Sequence, residues 1–353
     1  MKNILLILVG GTICTSINKD GTLSVSENAG ALIKANFENS DSPYAKNVNI
    51  DLTENLFILS ENMTVDKWND IIQTYVNYTS KKKYDGIIFA HGTDTLAYSS
   101  ALFSMLLSTT DIPVFFVSSN RRLDAKDSNG NENFKAAVEL IAKGITPNVY
   151  VTYKNPSDNR MYLHLGSRLE QCKNYSDDFY SCGMLDITDI CDENYKVYLS
   201  QIETMYPKEN TKSFISIYDC PKLSECILLI QPYVGINYSV YDYSNFRAVL
   251  HGTFHSGTAC AEQDSKNSVL HLIKVCSELE NDVDTYLSPS KLNGEIYETV
   301  STIAHSKIVF LYGYTLETAY AKLLIAYSLF DSNEKRSEFI KTECNYEIIC
   351  KEW

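Results

Sequence analysis

The stretch Ile4-Leu-Leu-Ile-Leu-Val-Gly-Gly-Thr-Ile13 decides the fold. Its apolar run is continuous rather than alternating, the pattern of a strand buried on both faces of a parallel sheet. Gly10-Gly11-Thr12 then breaks the run, and two glycines let the backbone turn tightly and approach a ligand closely. The same design recurs at Gly86–Ala90, which runs into His91-Gly92-Thr93-Asp94-Thr95. A helical pattern follows, apolar at Leu96, Ala97, Ala101, Leu102, Met105 and Leu106. Pro113–Val117 reads as a third strand. The polar stretch Ser118–Asn131 leads from it to a helix through Phe134, Ala137, Val138 and Ile141, and Val149–Tyr153 is a fourth strand. Strand, loop and helix in this alternation predict an α/β fold with a mostly parallel sheet flanked by helices. Ligands of such sheets bind beyond the carboxyl ends of the strands, where both Thr12 and Thr93 fall.

The pattern lapses near Tyr206–Lys212, a polar stretch with a proline that reads as a linker. A second alternation follows: strands Ile227–Gln231 and Ala248–His251, helix Ser268–Glu278 and strand Lys307–Tyr312. A closing helix is striped by Leu316, Ala319, Tyr320, Leu323, Leu324 and Tyr327. The expected division is a larger amino-terminal domain over 1–205, a linker over 206–222 and a smaller α/β domain over 223–353. A length of 353 residues suits two such domains.

Composition narrows the function. A net charge of −13 repels phosphate backbones, so nucleic acid is not an expected partner. The run Ile4–Val9 is far shorter than the roughly 20 residues of a membrane span, and it lacks the h-region and cleavage site of a signal peptide. The 10 cysteines form no Cys-x-x-Cys pair and read as reduced, mostly buried thiols of a cytoplasmic protein. His251 and His255, with Cys260 nearby, lack zinc-ligand spacing, so no metal is expected.

Two readings compete at the strand ends. Thr12 in a Gly-Gly-Thr turn is placed to attack a carbonyl with main-chain amides holding the oxyanion, or it merely bonds its own backbone. Thr93, Asp94 and Thr95 serve a second reactive centre, or they cap the helix beginning at Leu96.

Taken together, the motifs favour chemistry. Gly10-Gly11-Thr12-Ile13 and His91-Gly92-Thr93-Asp94-Thr95 resemble the two signatures of the asparaginase/glutaminase family, in which an amino-terminal threonine is the nucleophile. Ser60-Glu-Asn-Met-Thr64, Ser128-Asn-Gly-Asn-Glu-Asn133, Asp177-Asp-Phe-Tyr-Ser181 and Thr315–Leu323 resemble further family segments along almost the whole chain. The resemblance implies a two-domain asparaginase-like fold and hydrolysis of a side-chain amide without metal or cofactor. It implies a threonine acyl-enzyme on Thr12, with Thr93, Asp94 and a lysine as the second centre. Gly11, Ser60, Glu61, Gly92 and Ser119 would hold the substrate, Ser119 through its backbone. Family sites are completed by a neighbouring subunit, so a homodimer or tetramer is expected, with His255 and Thr258 in the contributing turn.

Departures from the family pattern are specific. After Gly166-Ser-Arg168 the lysine position reads Gln171, or Glu170 if one residue is skipped, and Lys173 is displaced. No tyrosine occurs in residues 15–30, and Thr22 stands where the activating tyrosine belongs. The family's Tyr-Gly-x-Gly-Asn becomes Phe254-His255-Ser256-Gly257-Thr258. A threonine needs a base to become nucleophilic, and loss of the lysine removes one worth about 10²–10⁴-fold. Lys173, Lys126 and His255 are unranked substitutes.

The sequence thus predicts an amidohydrolase acting on an asparagine-like amide, with Glu61, Thr22, Gln171 and His255 pointing to a modified or peptide-borne substrate. One alternative is an impaired homologue that binds an amino acid as a sensor. Another is an ammonia-supplying amidotransferase subunit, against which the position of Thr12 so near the start leaves no space for the extra amino-terminal domain usual in that type.

Overall fold

The computed structural model describes residues 1–18, 20–190, 193–207, 210–280, 282–291 and 297–349. The chain forms two compact units, Met1–Cys220 with Cys344–Tyr346, and Pro221–Glu343 with the residues from Glu347 on.

In chain order the first unit comprises β1 (Lys2–Leu8), a hairpin of β2 (Thr15–Ile17) and β3 (Leu23–Val25), α1 (Ala29–Glu38) and β4 (Val48–Leu52). Then come α2 (Val65–Thr79), β5 (Gly86–Ala90), α3 (Leu96–Leu106), β6 (Val114–Val117) and α4 (Gly130–Lys143). It closes with β7 (Val149–Asn155), β8 (Arg160–Leu165), β9 (Leu185–Asp186) and α5 (Tyr195–Met205). The sheet order is β4-β1-β5-β6-β7-β8-β9. From β4 through β7 every pairing is parallel, and β8 and β9 add antiparallel at one edge. The central runs Ile4–Leu8, Ile87–Ala90 and Val114–Val117 are buried throughout, as the continuous apolar sequence requires.

Strand order places the site. From β1 the chain crosses to β4 on one side, whereas from β5 it crosses to β6 on the other. The segments leaving β1 and β5 therefore diverge at a topological switch point, the crevice where open α/β sheets bind ligands.

The second unit holds a parallel sheet in the order β10 (Ile227–Ile230), β11 (Ala248–His251), β12 (Asp284–Ser290), β13 (Val309–Tyr312). Its helices are α6 (Val269–Ser277), α7 (Glu298–Ala304), α8 (Leu316–Leu329) and α9 (Asn333–Lys341). Ser268 caps α6 by accepting from the Leu270 N–H, and Thr315 caps α8 from the Thr318 N–H.

In this unit two elements differ from the sequence expectation. Strand β12 went unpredicted because polar Asp284, Thr285, Ser288 and Ser290 interrupt it, although all but Asp284 and Pro289 are buried. Helix α8 is buried around most of its surface rather than along one stripe. Its Lys322 is fully buried, donating to Glu347 at 2.6 Å and to the Thr342 carbonyl at 2.7 Å.

Among the described residues no helix is long and apolar enough to cross a membrane, no group of histidine, cysteine or acidic side chains suits a metal ion, and every cysteine is a free thiol. Cys191 and Cys350 lie outside the described residues.

Candidate active site

Three chain segments meet where β1 and β5 end. Gly10 pairs with Ile58 in a parallel bridge, and the Gly11 N–H donates to the Ile58 carbonyl at 2.9 Å. Val9 and Gly10 donate to the Ala90 carbonyl at 3.0 and 3.2 Å. Gly10 and Gly11 take φ of 137° and 71°, and a Cβ on either would lie 2.1 Å from backbone: Ile58 O for Gly10 and Gly92 Cα for Gly11. Both positions therefore require glycine, by conformation and by space. A Cβ on Gly92 would in turn lie 2.5 Å from Ser60 Cβ and Oγ. Gly11, Gly92 and Ser60 are thus stacked in direct contact, which sets the backbone leading into Thr12 against the segment that carries Thr93 and Asp94.

The polar groups of this cluster are partly engaged. Ser60 is buried and its hydroxyl donates to Asp94 Oδ2 at 3.0 Å. Thr95 donates to the Ser60 carbonyl at 3.0 Å and caps nothing, so the helix-capping role is not realised there. Thr12 begins a short 3-10 turn, Thr12–Cys14, and its carbonyl accepts from the Thr15 hydroxyl. Among the described residues the Thr12 and Thr93 side chains and N–H groups make no hydrogen bond; both residues are half-buried. The Gly10 and Gly11 N–H groups are committed elsewhere, whereas those of Gly92, Thr12 and Thr93 make no hydrogen bond among the described residues. His91 is buried, with Nδ1 on the Gly92 carbonyl at 2.8 Å, and burial lowers its pKa to about 4. It is a neutral spacer behind Gly92.

A cavity of about 500 Å³ opens beside this cluster, lined by Thr93, Asp94, Gln171, Cys172, Lys173, Asn174 and Asp177. Its outer wall is the loop between Leu169 and Ser181, which pair across it in an antiparallel bridge. Gln171 therefore shares a cavity with Thr93 and Asp94, whereas Glu170 is exposed and absent from the lining. Of the three unranked bases, Lys173 lines the cavity, with its ammonium 3.5 Å from Glu170 Oε2. Lys126 is exposed and does not line it, and His255 is exposed on the carboxy-terminal unit.

The other predicted residues are dispersed. Glu61 is exposed next to Ser60. Ser119 follows β6, and its hydroxyl is taken up by the Arg121 carbonyl and by Ser128 at 3.0 Å. Thr22 sits at the tip of the β2–β3 hairpin, tied to Asp20 at 2.7 Å and to Asn18 at 3.0 Å. Thr258 bonds Thr299 at 2.8 Å in the carboxy-terminal unit. His251 is buried against Tyr238 at 2.7 Å rather than facing a ligand. Sequence reasoning missed Cys172 and Asn174 as lining residues and gave Asp177 no role in the site. Asp177 has φ of 55°, a conformation that aspartate tolerates, and the polar run Asn174–Asp178 was the available sign of a turn.

Comparison with known proteins agrees with this geometry. The family model described as "Asparaginase, N-terminal" matches residues 3–202. The chain belongs to the asparaginase family. Among family relatives, a glutamyl-tRNA(Gln) amidotransferase subunit from Methanosphaera stadtmanae is 28% identical, over 98% of this chain and 77% of that protein. The corresponding protein from Methanobrevibacter smithii is also 28% identical, over 91% and 71%. Two solved structures share the family fold. The thermostable L-asparaginase of Thermococcus kodakarensis matches with a TM-score of 0.74 and 19% identity, over 99% of this chain and all of that one. L-asparaginase I of Vibrio cholerae matches with 0.69 and 22%, over 98% and 99%.

Proposed function

We propose that the chain is an amidohydrolase that cleaves a side-chain carboxamide to carboxylate and ammonia through an acyl-enzyme on Thr12. The observation that carries this reading is the contact of Gly11 with Gly92, which sets two unengaged threonine hydroxyls and their free amides at one strand-end crevice. Thr12 Oγ attacks the amide carbon as its proton passes to the base, the carbonyl oxygen is held by the Thr12 and Thr93 N–H groups, and the amide nitrogen takes that proton from the base and leaves as ammonia. Water, activated at Thr93, then hydrolyses the ester and frees Thr12. Asp94, fixed by Ser60, orients the substrate's ammonium group. Lys173 stands in for the lysine absent at 171, since it alone of the candidate bases lines the cavity. Gln171 contacts the substrate and exchanges no proton.

A second copy of the chain completes the reading. The turn Phe254–Thr258 presents exposed Phe254 and His255 and is assigned to the site of a neighbouring copy in a dimer.

The amidotransferase relatives favour a second reading, in which the ammonia passes to a partner subunit that amidates an acyl-tRNA. Ammonia release from asparagine, glutamine and asparaginyl peptides separates the two. The first reading predicts release by the chain alone. Release from glutamine only when a partner subunit is present supports the second, and no release from any amide overturns both.

A further inference from the structure

The cavity at Thr93 and Asp94 holds one carboxylate more than the single α-ammonium of free asparagine balances. Asp94 and Asp177 both line it. Gln171 Oε1 is buried there with no hydrogen-bond partner among the described residues. An acceptor shut away from water without a donor is costly, so a ligand donor that draws the Gln171 side chain out toward the cavity relieves that cost. Among the described residues the one cation on the lining, Lys173, has Glu170 beside it at 3.5 Å. Asp94 and Asp177 against Lys173, itself beside Glu170, leave the lining with a surplus of negative charge.

The surplus is held in place. The Glu170 N–H donates to the Tyr180 carbonyl at 3.0 Å, the Lys173 N–H to the Asp178 carbonyl at 2.9 Å and the Asp177 N–H to the Lys173 carbonyl at 3.0 Å. The Tyr153 hydroxyl donates to the Asp177 carbonyl at 2.9 Å. These bonds fix Asp177 in its left-handed conformation at the cavity wall. The neighbouring Cys172 thiol registers the field: burial first, then Asp177, Asp94 and Asp178, push its pKa up to about 12.

Building on the amidohydrolase reading, we propose that the cavity formed by Asp94, Gln171 and Asp177 selects an amide that carries a second positive charge, as an asparaginyl residue does beside a basic one. Asp94 balances the α-ammonium. Asp177 then has no charged counterpart in free asparagine, and a cavity of about 500 Å³ has space for one more side chain. The second cation sits against Asp177 and gives a donor to Gln171 Oε1. Because both carboxylates are exposed to solvent, the preference weakens with salt.

The test is calorimetric titration of the Thr12→Ala protein with the dipeptides Asn-Lys, Asn-Leu and Asn-Glu, which needs no turnover. Asn-Lys should bind about 10-fold more tightly than Asn-Leu, and Asn-Glu most weakly. Asp177→Asn, which keeps shape and suits the left-handed backbone, should bring Asn-Lys to within about 3-fold of Asn-Leu, and Gln171→Met should act in the same direction. Equal affinities, no binding of any dipeptide, or an order unchanged in both variants overturns the proposal. If the order holds while the wild-type protein hydrolyses no amide, the hydrolase reading fails and the selectivity stands.

Discussion

Gly11 and Gly92 touch so closely that a Cβ on Gly11 would lie 2.1 Å from Gly92 Cα. The two motifs are therefore one structural unit, although 81 residues separate them (92 − 11). Neither motif alone distinguishes a turn from a reactive centre; the proposed reading rests on their contact.

Gly11→Ala should be severe. The added methyl meets backbone on both the conformational and the steric count, and no side chain can move to relieve it. A loss of at least about 2 kcal/mol in urea unfolding is expected, with amide hydrolysis abolished. Gly144→Ala is the contrast. That glycine ends α4 at φ of 80° with nothing within 4 Å, so about 1 kcal/mol and unchanged activity are expected.

Ser60→Ala removes the hydroxyl that donates to Asp94 at 3.0 Å. A hydrogen bond to a charged group contributes about 1.5–3 kcal/mol, so kcat/KM for an amide substrate should fall at least about 10-fold. Steady-state ammonia release is the measurement. A rise in KM larger than the fall in kcat is the expected split, because Asp94 holds the ground state as well as the transition state.

Stability should decline in mild acid because three buried histidines are kept neutral. Burial lowers His91 and His251 to about 4 and His164 to about 3. In the unfolded chain each titrates near 6.5, so below that pH the unfolded state binds protons that the native state refuses, and stability falls as pH drops from 6.5 toward 4. The pH dependence of unfolding between pH 5 and 6 should correspond to about 3 protons taken up, and His164→Asn should remove about one.

The pair of Lys322 and Glu347, at 2.6 Å and fully buried, predicts a strong asymmetry. Either Lys322→Met or Glu347→Leu alone strands a buried charge and should cost about 3–5 kcal/mol in thermal or urea unfolding. The double substitution should recover most of that loss, since removing both charges also removes their desolvation.

The parallel core was legible because the strands through Ile4, Gly86 and Val114 are buried on both faces and carry unbroken apolar sequence. The strands that escaped notice carry mixed sequence: β4 lies at one edge of its sheet, β8 and β9 at the other, and β12 holds buried serines and threonine. At the site, the motifs named Thr12, Thr93, Asp94 and Ser60, and the contacts of Gly11 with Gly92 and of Ser60 with Asp94 are a matter of backbone geometry that sequence does not carry. The cavity wall from Gln171 to Asp177 was not readable. A loop closed by main-chain hydrogen bonds leaves no periodicity in the sequence, so only the fold could select Lys173 over Lys126.

The most direct test of the account is mass spectrometry of protein quenched in acid during turnover of an asparagine-like amide. An aspartyl ester is predicted on the peptide that carries Thr12, absent from Thr12→Ala and more abundant in Thr93→Ala, where release of the acyl group is slowed. An adduct on any other residue, or undiminished hydrolysis by Thr12→Ala, would contradict it.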